Sequence, residues 1–132
     1  MDLIVFAHIE STYQKRLLAQ LGVLMPRERI ILCRTVEDLA GSLMRPLDTV
    51  LAVVLLISQS TELVGIISLG NMLHDVRIIL ILPAADIVMA ASALPLRPRF
   101  VTYEDENSDE IIAVVAKLMS ARQKQIPPPL RR

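Results

Sequence analysis

Short apolar runs alternate five times along the chain with longer segments of helical spacing. The runs cover residues 3–7, 29–33, 50–57, 77–82 and 100–103 and are rich in Ile, Val and Leu with little apolar–polar alternation. Continuous apolarity over so few residues is the pattern of parallel strands covered on both faces. The segments between them open with helix-start chemistry. Ser11-Thr12-Tyr13-Gln14 has a hydroxyl at the cap and Gln three residues on, the form of a capping box. Thr35-Val36-Glu37-Asp38 places a hydroxyl and two acids where a helix dipole favours them, and Ser58, Ser60 and Thr61 offer caps to a third helix. Asn107-Ser108-Asp109-Glu110 opens the last, whose Ile111, Val114, Val115, Leu118 and Met119 form one broad stripe. Gly22 and Pro46 mark helix ends, and His74 is placed at the end of the third helix.

Five strand-then-helix units predict a parallel sheet with right-handed crossovers. For five strands the common solution is a flavodoxin-like (βα)5 three-layer α/β sandwich of order 2-1-3-4-5. The domain is expected to cover residues 1–123. Residues 124–132 form a basic tail whose Ile126-Pro127-Pro128-Pro129 cannot continue a helix and predicts an extended, polyproline-like segment.

The hydrophobic fraction of 53% and the mean hydropathy of +0.50 raise the question of a membrane. The longest charge-free stretches, 49–61 and 63–74, fall short of the roughly 20 apolar residues a spanning helix needs, so no membrane insertion is expected. The apolar content instead fits a doubly covered sheet plus an exposed patch for a partner. Fourteen basic and fourteen acidic residues cancel, and the aromatics are only Phe6, Phe100, Tyr13 and Tyr103. Neither a basic footprint nor a stacking platform for nucleic acid is present. Cys33, the single cysteine, allows no internal disulfide or cysteine metal site, and within an Ile-Ile-Leu-Cys run it reads as an inert core thiol. The N-terminus has no basic leader region, so a cytoplasmic location is expected.

In this architecture reactive groups collect where the strands end. Those positions are Ala7-His8-Ile9-Glu10, Ile57-Ser58-Gln59, Leu82-Pro83-Ala84-Ala85-Asp86 and Tyr103-Glu104-Asp105-Glu106. The element order and spacing over residues 1–123 resemble a response-regulator receiver domain of the chemotaxis-regulator type. That resemblance implies acids after strand one to hold Mg²⁺, a phospho-accepting Asp at the end of strand three, a hydroxyl after strand four and a Lys after strand five. Here Ala7 and His8 stand at the acidic pair, Ile57 or Ser58 at the acceptor, Pro83 at the hydroxyl, and Tyr103 or Glu104 at the lysine. Mg²⁺ prefers carboxylate oxygens and phosphoryl transfer relies on metal and cationic charge, so no phosphotransfer, no metal and no cofactor are expected.

Other chemistry is equally thin. His8 lacks the partner that acid–base work requires, and no Gly-x-Ser-x-Gly elbow surrounds Ser58 or Ser60. Gly22, Gly41, Gly65 and Gly70 form no dinucleotide turn, and the amides near Ser11 and Thr12 are a weak anion site against ordinary capping. The acidic residues 104–106, 109 and 110 read as a solvated helix start. More telling is an apolar surplus. Leu63, Val64, Ile66, Ile67, Leu69, Met72 and Leu73 exceed one helical face, as do Ile87, Val88, Met89, Ala90, Ala91, Ala93 and Leu94. Receiver-like domains associate through the fourth helix, fifth strand and fifth helix, so the resemblance places an interface at Ile87, Met89, Leu94 and Phe100, with deep burial inside the monomer as the alternative. The expected function is a non-enzymatic, non-phosphorylatable pseudo-receiver, a signalling module that binds protein and pairs as a homodimer. The alternative is a small-molecule binder or weak enzyme using the strand-end crevice around His8 and Ser58. A subunit of a larger assembly is a third reading.

Overall fold

The computed structural model describes residues 1–83, 87–104 and 108–125. Five strands, β1 (Asp2–Ala7), β2 (Ile30–Cys33), β3 (Val50–Leu56), β4 (Ile78–Leu82) and β5 (Phe100–Tyr103), form one sheet of order β2-β1-β3-β4-β5. Every pairing is parallel. The helices between them are α1 (Thr12–Leu24), α2 (Val36–Ser42), α3 (Ser60–Ile67), α4 (Ile87–Ser92) and α5 (Asp109–Gln125). This is the flavodoxin-like topology expected from the alternation of apolar runs and helical segments.

Side chains leave a strand alternately to its two faces, which sorts the core into two layers. Ile4 and Phe6 of β1 join Leu55, Leu80 and Leu82 beneath α2, α3 and α4, which contribute Leu39, Leu63, Ile66 and Met89. Leu3, Val5 and Ala7 point the other way, joining Val54, Ile79 and Ile81 under Leu17 and Leu21 of α1 and Ile111 and Val115 of α5. One register shift interrupts the alternation. Asp2 pairs with Val50 but Leu3 pairs with Ala52, so Leu51 is an extra residue and both Leu51 and Ala52 fall in the α1–α5 layer.

The caps at Ser11 and Thr35 form as expected. Ser11 Oγ accepts the Gln14 amide at 3.1 Å and Thr35 Oγ1 accepts the Asp38 amide at 3.0 Å. Several boundaries differ. Residues Arg27–Arg29 form a 3-10 turn, so β2 starts at Ile30 and not at Arg29. Gly22 does not end α1, which continues to Leu24 and stops before Pro26. α2 ends at Ser42, before the stop expected at Pro46. α3 closes at Ile67 and does not reach His74. A 3-10 turn, Gly70–Leu73, follows, entered through Gly70 at φ +54°, a backbone region that glycine adopts without steric cost. The break folds Ile67, Leu69 and Met72 back against the core, which absorbs most of the apolar surplus of that segment. α5 runs to Gln125, past the boundary expected at 123, and the tail at 126–132 lies outside the described residues, as do Ala84, Ala85, Asp86, Asp105, Glu106 and the Asn107 cap. Gly65 marks a close approach of α3 to α2, because a Cβ there would stand 3.1 Å from Val36 Cγ2.

Truncating a side chain at the centre of the sheet should be costly. Leu55→Ala is expected to lower the unfolding free energy by about 2–5 kcal/mol. Val23→Ala, on the exposed face of α1, is expected to change it by less than about 0.5 kcal/mol. Urea unfolding followed by far-UV circular dichroism checks both.

Candidate functional site

The strand ends of β1, β3, β4 and β5 share one edge, and the polar groups there organise into two clusters. The first is centred on Arg34, just past β2. Its Nη1 donates to the Ala7 carbonyl at 3.0 Å and to Gln14 Oε1 at 2.9 Å, and its Nη2 lies 3.6 Å from Glu10. Gln14 is buried on α1, so the guanidinium satisfies an amide oxygen that would otherwise be stranded. His8 is exposed, and its Nδ1 lies 2.9 Å from the Arg34 carbonyl. A carbonyl can only accept, so Nδ1 carries the proton in this contact. The end of β1 is thus occupied by a guanidinium with the Ala7 carbonyl, the Gln14 amide and the Glu10 carboxylate around it.

The second cluster lies past β3. Glu62 of α3 reaches back over the helix start, with Oε1 accepting the Ser58 amide at 2.9 Å and Oε2 accepting the Ser58 hydroxyl at 2.6 Å. One carboxylate therefore fixes both polar groups of Ser58. The residue that caps α3 by position, Gln59, makes no side-chain cap bond, so the expected capping by Ser58, Ser60 or Thr61 is replaced by this reach from Glu62. Ile57 is fully buried, and its amide prolongs the ladder to the Ile81 carbonyl at 2.9 Å. At the end of β5, Tyr103 is half-buried and packs on the α2–α4 layer. Glu104 follows, its amide bonded to the Leu82 carbonyl at 2.9 Å. Burial, and then the charge of Glu62, hold the Glu104 carboxyl above its ordinary value of 4.5. Pro83 is half-buried between these two corners.

The edge therefore brings Ala7 and His8 to one corner and Ser58 to the other, and it adds Gln14, Arg34 and Glu62, which the strand-end reading passed over. Only Glu62 left a signal in the sequence: a carboxylate four residues beyond a serine at a helix start. A shallow cavity of about 280 Å³ opens beside the edge, with His8, Thr35, Gln59, Thr61 and Glu62 on its wall. No group of three or more His, Cys, Asp or Glu side chains among the described residues is placed to hold a metal ion. Cys33 is buried against the Ser42 hydroxyl at 3.3 Å, and burial pushes its thiol up from the ordinary value, away from the reactive thiolate.

The interface expected around α4 is partly corrected. Met89 is 9% exposed and belongs to the core beneath α4, so it is no surface contact of this fold. Phe100 is half-buried against the α1–α5 layer. Ile87 (79%), Val88 (77%) and Leu94 (68%) are open, as is Val64 (67%) of α3. A groove of about 300 Å³ separates α3 from α4, lined by Val64, Ile67 and Val88 with Met89 at its floor. No helix among the described residues is long and apolar enough to cross a membrane.

The raised Glu104 predicts a pH-dependent cost. A carboxyl held above its unfolded value favours the fold below that value, and the contribution is lost as pH rises through the folded one. Glu104→Gln should therefore raise the melting temperature at pH 7, with the difference closing below about pH 4. The gain is small, because Glu104 is only part-buried and solvent screens it. Removing the Ser58 clamp acts in the opposite direction: Glu62→Ala is expected to cost about 1 kcal/mol in urea unfolding at pH 7. No protein-family model matches the chain and no curated protein matches it in sequence, so the chemistry of this edge is read from these residues themselves.

Proposed function

We propose that this chain is a receiver-like domain that takes no phosphate and works in the cytoplasm as a regulatory module by binding protein, in the first instance a second copy of itself. The observation that carries the reading is the charge at the strand-end edge. Phosphoryl transfer to a receiver needs an acceptor carboxylate after β3 and cations around it. On the resemblance, Ile57 or Ser58 stands at the acceptor position, with Ser58 clamped by Glu62, and Tyr103 or Glu104 at the lysine position. Arg34, a cation at the edge, is committed to Ala7, Gln14 and Glu10. An incoming phosphate would meet two carboxylates at the corner where a receiver presents a lysine.

Recognition then falls to surface shape. The exposed Ile87, Val88 and Leu94 with Val64 are the apolar residues an association surface uses, and α4 is a face through which the resembling domains pair. A second reading, a small-molecule binder, draws on the cavity beside His8 and Thr35. Its volume is at the lower limit of typical ligand pockets, about 300 Å³.

Two measurements test the proposal. Acetyl phosphate with Mg²⁺ should leave the mass of the protein unchanged, and a covalent phosphoryl adduct would overturn it. Light scattering over a concentration range should show a dimer that an Ile87→Glu, Val88→Glu double variant splits while its circular dichroism spectrum is retained. A native chain that stays monomeric at every concentration would sink self-association and move attention to the His8 cavity.

A further inference from the structure

β5 closes the sheet on one side: among the described residues no strand pairs beyond it. Its ladder to β4 fixes which way its backbone groups point. The Arg77 and Ile81 carbonyls accept the Val53 and Ile57 amides at 2.8 and 2.9 Å, so these residues serve β3 and, by alternation, Leu80 serves β5. The register sets Leu80 opposite Val101, and a residue in a parallel ladder bonds to the two that flank its partner, here Phe100 and Thr102. The Glu104 amide on the Leu82 carbonyl continues that set, and the ladder is entered through the Arg99 amide, on the Ile78 carbonyl at 2.7 Å. Val101 and Tyr103 lie between and turn their N–H and C=O groups to the open side. Burial agrees, with Thr102 3% and Val101 39% exposed. Tyr103 packs on the α2–α4 layer, and Val101, two residues before it, shares that face. An open strand edge of this kind accepts a further strand.

The two edge strands differ in the charges that flank them. β2 has an arginine on each side, Arg29 and Arg34, so two copies of it set side by side bring arginine to arginine in either direction. β5 is preceded by Arg99 and followed by Glu104. A second β5 laid parallel sets like charge on like, whereas one laid antiparallel carries each Arg99 to the Glu104 end of the other strand. Opposite charges across a strand pair stabilise it and like charges oppose it. The part-buried Glu104 carboxyl also has the Glu62 charge near it within its own chain, and an arginine brought by a second copy offsets that repulsion. We infer that two copies of the chain pair through β5, antiparallel about a two-fold axis at Thr102, into one continuous sheet. Val101 of each copy then stands opposite Tyr103 of the other, exchanges both backbone hydrogen bonds with it and adds an aromatic–β-branched contact. Such a contact is isologous and closes at two copies. The axis is perpendicular to the sheet, so the layer that holds α4, with the exposed Ile87 and Val88, continues from one copy to the next. The inference rests on the self-association proposed above and seats it on the backbone of a strand edge in place of a helix face.

Light scattering over a concentration range, with amide hydrogen exchange followed by NMR, tests it on the full chain. The expected result is a dimer whose Val101 and Tyr103 amides are protected at high concentration and exchange fast on dilution. Arg99→Glu alone and Glu104→Arg alone each put like charges at both ends of the strand pair, and each should weaken the dimer by about tenfold or more while the circular dichroism spectrum stays native. An equal mixture of the two variants meets with opposite charges at both ends and should pair as the native chain does. A folding defect in either variant would not give that rescue. A mixture of natively folded variants that fails to pair would overturn the inference. A dimer that Ile87→Glu, Val88→Glu splits, while the β5 variants pair normally and Val101 and Tyr103 stay unprotected, would overturn strand pairing and leave self-association standing. A chain that is monomeric at every concentration would overturn both.

Discussion

The parallel pairing of β1, β3 and β4 is the constraint on which the remainder of the molecule depends. Each of these strands is flanked by strands on both sides, which satisfies its amides and carbonyls, and each is apolar on both faces. A strand with no polar face cannot border water, so helices must cover both sides of the sheet. α1 and α5 close one side and α2, α3 and α4 the other. Parallel connections then place all strand ends on one edge and all strand beginnings on the opposite edge. Both polar assemblies described above are products of that arrangement, since polar side chains find room only where the apolar ladder stops.

The two edges differ in how their charge is balanced. At the strand ends, Arg34 is met by Glu10 and Gln14 and the polar groups of Ser58 by Glu62, while Glu104 is held partly out of solvent with the Glu62 charge nearby. At the strand beginnings, Asp2 faces both Arg29 and Arg45. A chain of zero net charge thus carries local charge clusters that the formal sum in the sequence conceals.

The sheet was legible in the sequence because its signal is one of composition and length. Runs such as Val50–Leu56 are too short to span a membrane and short enough to favour a buried strand over a buried helix. The order β2-β1-β3-β4-β5 was expected only as the common solution for five such units, a fold-level inference and not a reading of particular residues. Caps at Ser11 and Thr35 were legible because their bonds close within three residues. Arg34 was not, because its partners Ala7 and Gln14 are 27 and 20 residues away and the residue itself lies outside any regular element. Met89 was misplaced for a geometric reason. α4 has six residues, fewer than two turns, so apolar spacing cannot fix which side faces the sheet. The surplus in the third helical segment was misread because it assumed a helix continuing past Ile67, where the chain instead breaks and turns back at Gly70.

The place of β1 in the sheet has a consequence for synthesis. β1 is made before either of its partners, β2 at Ile30–Cys33 and β3 at Val50–Leu56. Until then Leu3 to Phe6 have neither ladder nor cover, although all four become fully buried in the finished domain. At translation rates of about 5–20 residues per second, the segment waits for seconds in a state prone to association. The domain is therefore exposed at β1 until β3 has been made, and α1, amphipathic and next in sequence, is the first element able to shield it.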